Sequence, residues 1–98
     1  MSLTFNSRVP KVASDMIAPG DLVVVDNNYR ILYRTAKAAA RAEWTDKCGN
    51  ILMDETALLV AKVSTKDEHN LDTTVGLLLT SKGVLGWCGL WSMQKHEI

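Results

Sequence analysis

Apolar and polar positions along this chain alternate in the manner of short strands punctuated by turn residues. Pro19 and Gly20 set a tight turn, and the run Leu22, Val23, Val24, Val25 after it reads as a strand, since β-branched side chains suit a pleated surface. Asp26, Asn27 and Asn28 end that strand with side chains that bond their own backbone, and residues 29–34 form a second one directly afterwards. Further on, residues 57–63 are apolar except for Lys62, which predicts a strand buried on both faces for most of its length. The polar stretch 65–73 predicts a loop leading into a strand over 74–80. Ser81, Lys82 and Gly83 supply a hairpin turn with glycine where φ must become positive, and 84–88 is the return strand. Residues 89–91 predict one helical turn, and 92–98 a last strand that closes the sheet.

One segment breaks this rhythm. Residues 35–43 collect alanine, lysine, arginine and glutamate behind Thr35, a suitable N-cap, and so predict a helix. An isolated helix needs roughly 12–15 residues to be even marginal, so tertiary contacts must hold this one, with Trp44 as the expected anchor. Residues 47–50 then predict a turn. At the other end, residues 1–16 are interrupted by Pro10 and read as an N-terminal arm. Leu3, Phe5, Val9 and Val12 give the arm apolar groups to bury, either on its own domain or on a neighbouring subunit.

Composition narrows the function classes. Ninety-eight residues allow one core and not two, and 47% apolar against 22% charged residues is a folded rather than a disordered balance. Eleven basic and eleven acidic residues leave no net field to hold a polyanion. The local exception is Arg30, Arg34, Lys37 and Arg41, which fall along one strand and the segment after it; nucleic-acid contact there is the alternative function. No apolar run approaches the roughly 18–20 residues of a membrane span, and the first residues lack the charged start and apolar block of a secretory signal. A cytoplasmic protein, or a particle assembled in the cytoplasm, is expected. Cys48 and Cys88 are accordingly expected as reduced thiols.

Catalytic chemistry needs a nucleophile beside a base, a carboxylate pair of opposed pKa, or a metal with its ligands. Histidine occurs only at His69 and His96, and Cys88, following Trp87 in a strand, reads as a small buried hydrophobe. Cys48, Cys88, His69 and His96 lack the close paired spacing of a zinc site. The acidic segment 67–72 lacks the glycine and closing glutamate of a calcium loop. Gly83, Gly86 and Gly89 lie in a hairpin rather than between strand and helix, so they do not cradle phosphate. The expectation is therefore a non-enzyme without metal or cofactor. Its remaining functional signal is aromatic: Tyr29, Tyr33, Trp44 and Trp91 are the candidate protein-binding residues, with Tyr33 and Trp87 also suited to a core.

The tail from Leu77 to Trp91, with a hairpin running into Gly86 and Trp87, then a turn and a closing strand, resembles the end of SH3-like domains of the bacterial and phage type. Leu32 and Tyr33 resemble the pair that opens the long loop of such domains, and residues 55–63 resemble their central strand. Pro19, Gly20, Asp21, Leu22 and Val23 resemble the opening strand of small phage-encoded members. The resemblance covers residues 17–98. It implies a mainly β, small SH3-like barrel of five to six strands, with one short helix or loop insertion at about residues 35–44. The alanine-rich stretch and the long polar segment depart from the family pattern, on the loops where its ligands bind. By function it implies a non-catalytic protein-binding or assembly module, such as a bacteriophage structural or accessory subunit of a virion, with a protein partner or self-association rather than nucleic acid or membrane.

Overall fold

The computed structural model describes residues 17–25, 29–53, 55–90 and 93–96. The chain is mainly β: strands β1 (Leu22–Val25), β2 (Tyr29–Tyr33), β3 (Lys47–Leu52), β4 (Thr56–Lys66), β5 (Asp72–Thr80), β6 (Leu85–Gly89) and β7 (Met93–Lys95), with a helix α1 (Ala36–Arg41) and a 3-10 turn (Trp44–Asp46) between β2 and β3. All seven strands join one antiparallel sheet in the order β3-β2-β6-β5-β4-β1-β7, curled into a half-barrel. The expected mainly β class with one short helix is what forms. Among the described residues the strand count is seven rather than five or six, partly because residues 47–50 are not a turn but the start of β3, paired with β2 from Tyr29↔Leu52 to Tyr33↔Lys47.

The hairpin of β4 and β5 is the spine of the sheet, paired from Ala57↔Thr80 to Lys66↔Asp72. It runs further than the polar composition of 65–73 suggests: Thr65 pairs with Thr73, the Lys66 ammonium lies 2.7 Å from the Asp72 carboxylate, and only residues 67–71 form the loop. There the Asp67 carboxylate accepts the backbone N–H groups of His69 and Leu71, and Asn70 takes a left-handed backbone, which asparagine tolerates. One extra residue, Val60, sits opposite the step from Leu78 to Leu77, so β4 carries a bulge.

The concave inner face holds the main core. Val23, Val25, Leu32, Ile51, Ala57, Leu59, Leu78, Cys88, Leu90 and Met93 converge there with Ile17. Glycine at 86 is required by this packing: a Cβ would stand 2.7 Å from the Leu32 Cβ and 3.0 Å from the Cys48 sulfur. The β5–β6 turn closes as its sequence predicts. Gly83 has φ +85°, its N–H donates to the Thr80 carbonyl, and the Thr80 hydroxyl accepts from the N–H groups of Lys82 and Val84.

The helix forms where its propensity and cap place it. Thr35 Oγ1 accepts the Ala38 N–H at 3.0 Å. Ala42 ends the helix in a left-handed conformation at φ 54°, which turns the Glu43 N–H back onto the Ala38 carbonyl. Trp44 is not its anchor. That indole is 65% exposed, with the Lys47 ammonium 4.6 Å from its ring. The docking groups are Ala38 and Ala39, whose small side chains let the helix backbone lie close over Val75 and Tyr33. The arm at residues 1–16 lies outside the described residues.

Candidate functional site

The sheet alternates its side chains between two faces, and the register of β1, β4, β5 and β6 assigns each residue to one of them. Outward positions on these strands are Leu22 and Val24; Thr56, Leu58, Val60, Ala61, Val63 and Thr65; Thr73, Val75, Leu77 and Leu79; and Leu85, Trp87 and Gly89. None of them is charged. A solvated outer face normally reads as polar, so the pattern is a departure that calls for a cover. Helix α1 supplies part of it by lying across β4, β5 and β6, where it seals Val75.

Among the described residues nothing covers the remainder. Leu22 pairs with Leu58, Leu58 with Leu79, and Leu79 with Leu85, so four leucines stand side by side on four adjacent strands. They are 37%, 37%, 39% and 53% exposed respectively. Val60, at 44%, extends the patch toward the helix, where Leu77 and Trp87 are half-buried. Directly opposite neighbours on a sheet have Cβ atoms about 4.5–5.5 Å apart, which makes the row a continuous apolar ridge rather than scattered exposure. The expectation that residues 57–63 are buried on both faces is corrected here: Ala57 and Leu59 are buried, whereas Leu58, Val60 and Val63 face outward and are exposed.

The aromatic candidates do not form one strip. Tyr29, exposed, pairs with exposed Leu52 at one end of β2. Tyr33, at the other end, is buried beneath α1 and pairs with Trp87; burial raises its hydroxyl pKa, helped by Cys88 and opposed by Arg30. Trp44 stands beyond it, exposed beside Lys47, and Trp91 lies outside the described residues. Four residue steps along β2 separate Tyr29 from Tyr33, about 13 Å at a strand's rise. The leucine row carries no motif or turn signal in the sequence, although the parity of apolar positions within each strand makes both faces apolar.

The basic candidates are likewise divided. Arg30 shares the inner face with Leu32 and opposes Ile51, while Lys37 and Arg41 ride on α1 over the outer face. Arg41 is paired with Glu43 at 3.6 Å, and Arg34 is exposed just before the helix cap. Both thiols are free, Cys88 buried and Cys48 half-buried. Burial pushes the Cys88 pKa up to about 11, against a smaller lowering by Arg30, so at neutral pH it is a protonated thiol. His69 lies in the exposed β4–β5 turn beside Glu68, and His96 is exposed after β7. Among the described residues no three metal-binding side chains cluster, and no helix is long and apolar enough to cross a membrane.

No family model, no curated protein and no solved structure matches this chain. The site is therefore read from its own geometry.

Proposed function

We propose that this chain acts by binding protein, as an assembly module rather than as an enzyme, and that the uncovered outer face is its working surface. The observation that carries the reading is the in-register row Leu22, Leu58, Leu79 and Leu85, exposed on four adjacent strands, β1, β4, β5 and β6, whose outward positions hold no charge. The largest contiguous apolar patch on a small protein is often its functional surface. The SH3-like resemblance supports the same class, because a hairpin leading into Gly86 and Trp87 is followed by a short closing strand, β7. Within that class, a phage-type structural or accessory subunit is the reading the resemblance favours. Nucleic-acid binding has less support, since Arg30 faces away from Lys37 and Arg41 across the sheet.

The test is a gentle affinity purification of tagged wild-type chain beside a Leu58→Asp, Leu79→Asp double variant. Wild type is expected to emerge with a protein partner in fixed proportion, either untagged copies of itself or another chain, and the variant alone. Recovery of both proteins without any partner overturns the reading.

A further inference from the structure

We infer that the leucine row is the contact between two copies of this chain, packed sheet face to sheet face about a two-fold axis running along the row. The inference rests on the protein-binding reading above and names its partner. One observation favours a second copy, and two more fix its placement and its strength. The first is electrostatic. Because no outward residue of β1, β4, β5 or β6 is charged, a copy of the same four strands brings no ion onto the leucine row and keeps Lys37 and Arg41 of α1 at its margin, whereas a partner presenting charge to the row would have to strip its own groups of water.

The second is the placement of α1. The helix rises above the outer face at the Val75 end, and Val75 and Leu79 are about 13 Å apart along β5. A two-fold axis parallel to the strands would bring the two helices into collision, since a helix with its side chains is roughly 10–12 Å across and packed sheets stand about 10 Å apart. An axis along the row avoids this. It sets Leu22, Leu58, Leu79 and Leu85 each over its own mate, and it directs each helix past the β5–β6 hairpin of the other copy. Such a contact is self-complementary by construction.

The third is area. Four strands at about 4.8 Å and two outward rows about 6.8 Å apart outline a face of roughly 200–300 Å², so a pair of copies with its rim falls in the small, reversible class of interfaces, below about 1,200 Å² in total. The contact is a monomer–dimer equilibrium and not a permanent pair.

Sedimentation equilibrium on the purified full chain tests this. The average mass is expected to rise from one chain toward two as concentration goes from about 5 to 500 µM, the range that a small interface implies. Leu58→Asp places two like charges on the axis and is expected to hold the mass at one chain throughout, with an unchanged far-ultraviolet spectrum as the check on folding; Leu79→Ser is the milder companion. Leu58→Cys is expected to be joined to its mate by a short bis-maleimide, above the wild-type background from Cys48 and Cys88, because each residue 58 faces itself across sheets about 10 Å apart, too far for a direct disulfide. Wild type that stays monomeric at the highest concentration, a dimer that survives Leu58→Asp in folded protein, or Leu58→Cys that fails to cross-link overturns the inference. If the purified chain is monomeric and Leu58→Asp nevertheless releases a different co-purifying protein, self-association falls while the protein-binding reading stands. If neither association occurs, both fall.

Discussion

The outer face of the sheet holds two territories that share a chemistry and differ in cover. Under α1, Val75 is sealed and Tyr33 nearly so, packed by Ala38 and Ala39. Past the helix, Leu22, Leu58, Leu79 and Leu85 are as apolar and are left to water. The difference teaches that an apolar strand face states a need for cover without saying what supplies it. Here one half is met by six residues of helix within the same chain, and the other half is open to a second molecule.

The sharpest contrast lies between neighbours on β4, where Leu59 points inward and Leu58 outward. Leu59→Ala is expected to lower unfolding free energy by about 2–5 kcal/mol, as fully buried leucines do, while Leu58→Ala in dilute monomer stays within about 1 kcal/mol. Urea denaturation of the two variants measures the contrast, and equal losses would erase the distinction between the faces.

The inner core also carries a pH signature. The buried Cys88 thiol has its pKa raised from an ordinary 9.0 to about 11, so its contribution to stability is complete below pH 9 and is lost as pH rises to 11. The two-unit difference corresponds to roughly 2–3 kcal/mol. Tyr33, also raised, acts in the same direction above its ordinary value of 10.0. Unfolding curves for wild type and Cys88→Ala at pH 8 and pH 11 are expected to show the smaller alkaline loss in the variant.

Where β6 meets β2, Gly86→Ala drives a methyl into the Leu32 Cβ and toward the Tyr33 carbonyl, and a cost of about 1–3 kcal/mol is expected, read as a lowered melting temperature. The helix-covered territory gives the smallest effects and two opposite signs. Thr35→Ala removes the cap on the Ala38 N–H and is expected to cost about 1 kcal/mol. Ala42→Gly relieves a left-handed alanine and is expected to add about 0.5–1 kcal/mol. If α1 is the cover described, hydrogen exchange of the Val75 amide follows the same order across these two variants.

Local chemistry was the legible part of the sequence. The Thr35 cap, the glycine of the β5–β6 turn and the identity of most strands depend on neighbours within a few residues, and each stands where the sequence places it. Long-range pairing was not legible in the same way. Residues 47–50 hold Gly49 and Asn50 and look like a turn until β2 offers them a partner. Thr65 and Thr73 look like loop until each supplies the other's ladder. The site itself was obscured by one residue: with Val60 inserted, odd-numbered positions of β4 point inward before it and outward after it, so a strand with one buried face presents an unbroken apolar run. Trp44 has the size of an anchor, whereas the contact that holds the helix is made by two alanines.

Val60 also sits at the border between the sheltered and the open halves of the outer face, ahead of Ala61 and Val63 and behind Leu58. A chain lacking that residue would retain every pairing partner of β4 and lose only the local kink and added twist that a bulge imparts. The surplus position thus places the bend of β4 between the stretch beneath the helix and the stretch that carries Leu58. Its deletion offers a way to change that bend while leaving all four leucines in place.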